Sequence, residues 1–403
     1  MLPVSEEVEP QGSEARPLCM NQSARLFNHC RVPVEGSDLL INYGTQPAGL
    51  PTQHFATRFT GSNPRHIVVI APSGRMFKAD VVSEDGTRLS VPQLEDMFKT
   101  ILALDAAERD GDGSSCDVPF LTAIDRDEWA SHREALLGHS GANKAALEAV
   151  DAAMFVVALD GREVGDDQDA LSRLILDGQG CRRWFDKHEL VVTSDGRAGA
   201  LLCCRRARAC MCVHLTGAPS HCAWMCWLRC CLIVNVLVYA AGGAAGWNFE
   251  HAPGDGTTSL LMCESSYYAS IGDAILSEAS SDGLAAGEIV SPLTFELSQE
   301  LTAACGDAKA FLNSFAGSMQ STTFRFRSFG KDRIKDMKVS PDGFAQMAMQ
   351  YAYYLNQSKL VPTYESGAMR NYLHGRTETV RGGYFACLTC PAHVEMLDRD
   401  TQC

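Results

Sequence analysis

Ile67-Val68-Val69-Ile70 and Met76-Phe77-Lys78-Ala79-Asp80-Val81-Val82, joined through Ala71-Pro72-Ser73-Gly74-Arg75, read as two β-rich runs around a tight turn. Glu84-Asp85-Gly86 marks the next turn, and Pro92 to Ala107 then repeats Leu94, Met97, Phe98, Ile101 and Leu102 at helical spacing. Strand, turn, strand and amphipathic helix in succession point to a mixed α/β protein. Working outward, Ala142 to Ala152 predicts a helix running into a strand over Met154 to Leu159, and Leu190 to Thr193 a strand closed by Ser194-Asp195-Gly196. Downstream, helices are expected over Leu297 to Met319, Pro341 to Leu355 and Ser366 to Tyr372, with a strand over Thr323 to Ser328. The acidic stretches Asp110 to Asp117 and Asp160 to Asp169 read as solvated loops; the first faintly resembles a calcium loop but lacks the ligand spacing of an EF-hand. No internal repeat is evident.

The chain has 403 residues with a net charge of −14, 46% hydrophobic and 21% charged residues, enough for more than one domain with a sizeable core. An acidic surface repels phosphate backbones, which argues against a nucleic-acid partner. Met1 to Arg16 carries Glu6, Glu7, Glu9 and Glu14, unlike a basic or apolar leader, so a reducing compartment with free thiols is expected. Cys387 and Cys390 form a solitary CxxC that reads as chance. Cys203, Cys204, Cys210, Cys212, Cys222, Cys226, Cys230 and Cys231 crowd into residues 200–246, a window without Asp, Glu or Lys. Its basic first part (Arg205, Arg206, Arg208) and apolar second part (222–246) leave three readings open: a membrane-spanning helix, a metal-binding insert, or a segment foreign to the fold.

Three stretches carry chemistry. In Trp247-Asn248-Phe249-Glu250-His251-Ala252-Pro253-Gly254-Asp255-Gly256, a carboxylate follows a histidine by four residues, a pattern for a general base whose Nδ1 proton the carboxylate accepts to leave Nε2 free, or for an ordinary surface or core histidine. Phe329-Gly330-Lys331-Asp332-Arg333-Ile334-Lys335 places lysines four apart before the helix start Ser340-Pro341-Asp342, a pattern for a phosphorylated ligand or for a solvated basic face. Thr363-Tyr364-Glu365-Ser366 and Gly375-Arg376-Thr377-Glu378-Thr379-Val380-Arg381 gather hydroxyls fit for a small polar substrate or for ordinary loop chemistry.

Together with Pro17-Leu18-Cys19-Met20 and Arg183-Trp184-Phe185-Asp186-Lys187, these stretches resemble, in order, the carnitine/choline acyltransferase family. The resemblance implies an α/β, chloramphenicol-acetyltransferase-like two-domain acyltransferase fold: an acidic tail over 1–16, a first domain over 17–290 interrupted by the foreign segment 200–246, and a truncated second domain over 291–403. It implies His251 as catalytic base with Asp255 as its partner; Lys331, Lys335 and Asp342 in the CoA-binding stretch; and Tyr364, Ser366 and Thr377 around the carnitine carboxylate. Thr377 and Thr379 stand where the choline branch has Val and Asn, which favours carnitine. The implied reaction moves an acyl group, expected to be short, between CoA and the carnitine hydroxyl, with acyl-CoA as co-substrate, no permanently bound cofactor and no metal. A monomer in the mitochondrion or peroxisome is implied. Membrane association would run only through 222–246, and a non-catalytic remnant that binds CoA is the alternative. Family members pass directly from the Asp195-Gly196 turn into the strand before His251, as if Gly199 joined Trp247, and continue past Arg381 into an oxyanion-supporting Ser-Thr-Ser that this chain lacks.

Overall fold

The computed structural model describes residues 18–46, 57–107, 116–176, 178–202, 236–240, 243–249, 254–255, 258, 261, 289–320, 322, 326–359 and 361–381. The chain divides into two compact units, residues 1–321 with 372–374 and residues 322–371 with 375–403.

In the first unit, the strands β1 (His29–Val34) and β2 (Ser37–Asn42) form an antiparallel hairpin that β3 (Thr57–Phe59) joins in parallel. The larger sheet comprises β4 (His66–Ile70), β5 (Met76–Asp80), β6 (Val156–Asp160), β7 (Glu189–Thr193), β8 (Ala198–Leu202), β9 (Val236–Ala240), β10 (Gly243–Phe249) and β11 (Val290–Leu293). Its spatial order is β11-β5-β4-β6-β7-β8-β10-β9, with β4, β6 and β7 parallel and the flanking pairs mostly antiparallel. The helices are α1 (Val91–Ala107), α2 (Arg126–His139), α3 (Gly141–Ala152), α4 (Gln168–Leu176) and α5 (Gln299–Ser318).

Every residue of β4 is buried, which explains an apolar run without alternation: both faces of this strand are covered. Successive side chains serve two separate cores. Val68, Ile70, Met76, Val156 and Ala158 pack with Trp129, Leu136, Leu147, Leu171, Leu301 and Leu312 from α2 to α5. Ile67, Val69, Phe77, Ala79 and Val157 pack with Met97 and Ile101 of α1. Helix starts follow their capping chemistry. Ser90 and Gln93 bond reciprocally ahead of α1, with Pro92 in its first turn. The hydroxyls of Ser140 and Ser298 accept N–H bonds at the starts of α3 and α5.

The second unit contains α6 (Lys331–Asp336), α7 (Pro341–Gln357) and an antiparallel ribbon of β12 (Tyr364–Ala368) and β13 (Thr377–Arg381). The expected Ser340-Pro341 start is present, Ser340 Oγ accepting from Gly343 N at 3.3 Å.

Several expectations are overturned. Ser366 to Tyr372 is not a helix: Tyr364–Ala368 is a strand, because its partner lies in the distant segment Thr377–Arg381. Residues 326–328 are not strand, and 323–325 lie outside the described residues. Asp160 to Asp169 is not simply a solvated loop, since Asp160 ends β6 buried between Arg162 and Arg183, and Gln168 begins α4. Within the window read as a candidate spanning helix, 236–240 and 243–246 are strands, and no helix among the described residues is long and apolar enough to cross a membrane. The remainder of that window, 203–235 and 241–242, lies outside the described residues, as do Cys387 and Cys390.

Candidate active site

In the first unit the site is built around Asp255, which is 2% exposed. Gln22, on the short 3-10 turn Asn21–Arg25 just after Pro17-Leu18-Cys19-Met20, clamps it from both sides. The Gln22 side-chain amide donates to Asp255 Oδ2 at 2.6 Å, and its carbonyl oxygen accepts from Asp255 N at 2.6 Å. Thr258 Oγ1 donates to the same Gln22 oxygen at 3.0 Å, and Thr258 N closes a turn onto Asp255 O. A buried carboxylate is costly unless hydrogen bonds hold it, and the Gln22 amide supplies one while the bond from Asp255 N ties the backbone to the same side chain. His251 lies outside the described residues; the strand that leads to it, β10, ends at Phe249.

The Arg183 to Lys187 motif is buried and its charged groups find partners elsewhere in the first unit, while Arg183 Nε and Trp184 Nε1 have no hydrogen-bond acceptor among the described residues. Asp186 takes an ion pair from Arg126 and a 2.7 Å bond from Trp129 Nε1. Lys187 Nζ donates to the carbonyls of His29 at 2.9 Å and Asp151 at 2.8 Å. Glu189 Oε2 accepts from Trp184 N at 2.7 Å, and burial pushes its carboxyl up to about 7 despite the neighbouring Arg183. His188 is buried beside Lys187 and stacks obliquely on His29, with ring centroids 5.2 Å apart. Burial first and the Lys187 charge second bring its imidazole down to about 3.

In the second unit, the register sorts the expected substrate contacts. Tyr364 lies opposite Arg381, Ser366 opposite Thr379, and Ala368 opposite Thr377. Directly opposed residues of an antiparallel pair share a face, so Tyr364, Ser366, Thr377 and Thr379 form one hydroxyl-bearing side of the ribbon. Glu365, Gly367, Glu378 and Val380 form the other. Glu365 has its carboxyl pushed up, by burial and then by the Asp342 carboxylate in the first turn of α7. Gln350 Nε2 donates to Thr363 Oγ1 at 2.9 Å, so α7 is tied to the strand start as well. Lys331 and Lys335 lie four apart on α6, exposed and on one side of the helix.

Gln22, Thr258, Gln350 and Glu365 were not expected. Gln22 adjoins the Pro17 to Met20 motif, the one signal that could have found it. The others depend on contacts that no local pattern displays.

The family model for choline/carnitine O-acyltransferases matches residues 4–214 and 234–387. The break, 215–233, falls inside the Cys-rich window. The mitochondrial carnitine O-palmitoyltransferase 2 of Bos taurus is 29% identical over 378 residues, covering 93% of this chain and 46% of the relative. The Homo sapiens protein of the same name is 28% identical over 369 residues, covering 91% and 45%. The peroxisomal carnitine O-octanoyltransferase of Bos taurus is 28% identical over 373 residues, covering 91% and 50%. The chain thus spans about half the length of the curated relatives it matches. With the family model matched along most of its length, from the Gln22 segment through the hydroxyl ribbon, the chain belongs to the choline/carnitine O-acyltransferase family.

Proposed function

We propose that this chain serves reversible acyl transfer between a CoA thioester and the carnitine hydroxyl. In this reading His251 Nε2 takes the hydroxyl proton, the oxygen attacks the thioester carbonyl, and the proton then goes to the departing CoA sulfur. Asp255 orients the imidazole, and Gln22 with Thr258 orients Asp255. Lys331 and Lys335 meet CoA phosphates as point charges, alongside the Asp342 stretch. The hydroxyl face of Tyr364, Ser366 and Thr377 holds the carnitine carboxylate. CoA enters as a co-substrate, and the reaction needs no resident cofactor or metal.

The observation that carries this reading is the ribbon register: hydroxyls separated by over ten residues in the sequence share one face, in a chain of this family. The buried Asp255 clamp supports it from the first unit. The reading extends to a chloramphenicol-acetyltransferase-type fold and to a monomer in the mitochondrion or peroxisome, the compartments named for the relatives. The relatives' names, palmitoyl- and octanoyltransferase, favour a medium or long acyl chain over the short one expected from the sequence. The test is to incubate the full chain with carnitine and acetyl-, octanoyl- or palmitoyl-CoA and to measure acylcarnitine by mass spectrometry. Octanoyl or palmitoyl transfer, lost on His251→Ala by about 10²- to 10⁴-fold, is the expected result. CoA binding without turnover of any of the three would select the non-catalytic alternative.

A further inference from the structure

The sheet shows the same dipeptide twice, side by side. β8 follows β7 through the Thr193 to Arg197 turn and pairs antiparallel with it, Ala198 opposite Val192, Gly199 opposite Val191, Ala200 opposite Leu190 and Leu201 opposite Glu189. β10 then pairs parallel with β8, Ala245 beside Ala198, Gly246 beside Gly199, Trp247 beside Ala200, Asn248 beside Leu201 and Phe249 beside Leu202. Ala198-Gly199 and Ala245-Gly246 therefore stand at matching positions on neighbouring strands. Residues 200–244 separate them, and the family model skips part of that segment.

We propose that Ala198–Leu202 and Ala245–Phe249 are alternative occupants of one sheet position, the one beside β7. Residues 200–246 then act as a displacer that moves the strand leading into His251 outward by one strand spacing, about 4.8 Å. Three observations favour the exchange. Because the Ala-Gly pairs match, either segment sets the same small residues opposite Val192 and Val191, so the register with β7 is kept. Neither segment contains proline or a charge that would bar it from a central position. The turn itself is common to both, closed by Thr193 N to Arg197 O at 2.8 Å and Gly196 N to Thr193 O at 3.0 Å, with Gly196 at φ +77°. In the full chain Ala198–Leu202 holds the position because it follows that turn directly. Its rival must close a loop of 47 residues first, an entropic handicap that grows only slowly with length. Joining Gly199 to Trp247 abolishes the handicap and leaves Trp247–Phe249 as the only candidate.

The exchange concerns backbone pairing alone, while its consequence for catalysis rests on the reading of His251 given above. Cysteine pairs read the position directly. Leu190 and Ala200 are opposed neighbours, whereas Leu190 and Trp247 are two strand spacings apart, roughly 9.5 Å and beyond the ~7 Å reach of a disulfide. With oxidised glutathione as oxidant and peptide mapping as readout, the full chain should link Leu190→Cys to Ala200→Cys and not to Trp247→Cys. The variant lacking 200–246 should link Leu190→Cys to Trp247→Cys. So should the full-length chain carrying Ala200→Pro with Leu201→Pro, since one of those two N–H groups faces β7 and neither can donate once replaced. Absence of the 190–247 link from both variants overturns the proposal, as does failure of both to fold, because an equivalent occupant would have kept the sheet. A 190–247 link without acyl transfer keeps the exchange and removes the catalytic reading; acyl transfer without the link does the reverse.

Discussion

Two motifs of one family differ most in what surrounds them. Arg183, Trp184, Asp186 and Lys187 are each at most 3% exposed, and their charges end on partners inside the first unit. In the second unit, Thr377, Glu378, Thr379 and Val380 are exposed, on a ribbon whose hydroxyls share one face. One motif is held inside the fold and the other lies open at the surface, although their residue types alone look equally reactive. Burial together with pairing separates them: the buried motif should govern stability and the exposed one substrate affinity.

The largest effect should come from breaking the buried side. Asp186→Ala leaves Arg126 with one carboxylate fewer and Trp129 Nε1 without its acceptor, both inside the core. Removing one partner of a buried ion pair typically costs about 3–5 kcal/mol, so urea unfolding should show a loss of that order, with CoA affinity of the remaining folded protein little changed. A variant of wild-type stability would show that Asp186 is replaceable.

His188 sharpens the comparison through pH. Its folded value, about 3, lies below the ordinary 6.5, so its contribution to stability is fully present above pH 6.5 and is lost as pH falls toward 3. At roughly 1.4 kcal/mol per pH unit, wild type should lose about 2 kcal/mol relative to His188→Leu between pH 6.5 and 5. Glu189 acts in the opposite sense: raised from 4.5 to about 7, its contribution is full below pH 4.5 and is lost as pH rises through 7. The difference between wild type and His188→Leu cancels the Glu189 term, and parallel pH profiles for the two proteins would sink this account.

Gln22 stands between the two extremes, because it is buried like the first motif and holds a residue that, like the second, is proposed for the site. Gln22→Leu leaves the Asp255 carboxylate and N–H short of their partners. A loss of about 1–3 kcal/mol follows from the unmet groups. If Asp255 orients His251 as proposed, acyl transfer should fall mainly in kcat, while the carnitine KM stays near wild type. An unchanged kcat would confine Gln22 to a structural role.

The central strands were legible because apolar runs such as Ile67 to Ile70 carry their own signal, and the helix of Leu297 to Met319 appears as Gln299–Ser318. Helix α2 was not foreseen: Arg126 and Arg133 are buried and paired, so its inward face does not read as apolar. In α4, the acidic lead-in masked Leu171, Leu174 and Ile175. The ribbon's shape was missed because a short strand whose partners lie 9 to 17 residues away looks locally like a turn of helix. The Asp255 clamp was illegible for a plainer reason: Gln22 lies 233 residues away in the chain.

The smallest stability effect is the most discriminating. Thr377→Val keeps shape and volume on an exposed strand position and removes only the hydroxyl, so stability should stay within about 0.5 kcal/mol of wild type. Val is also a good strand former, which guards the ribbon against local melting. If Thr377 holds the carnitine carboxylate, the loss appears in carnitine KM, by about 3- to 30-fold for a hydrogen bond worth roughly 0.6–2 kcal/mol, while the KM for acyl-CoA is unchanged. Ser366→Ala, on the same face, should act in the same direction. Glu378→Gln, on the opposite face of the same strand, should leave carnitine KM alone. An equal response from both faces would mean that the ribbon's shape, rather than its hydroxyl side, matters to the substrate.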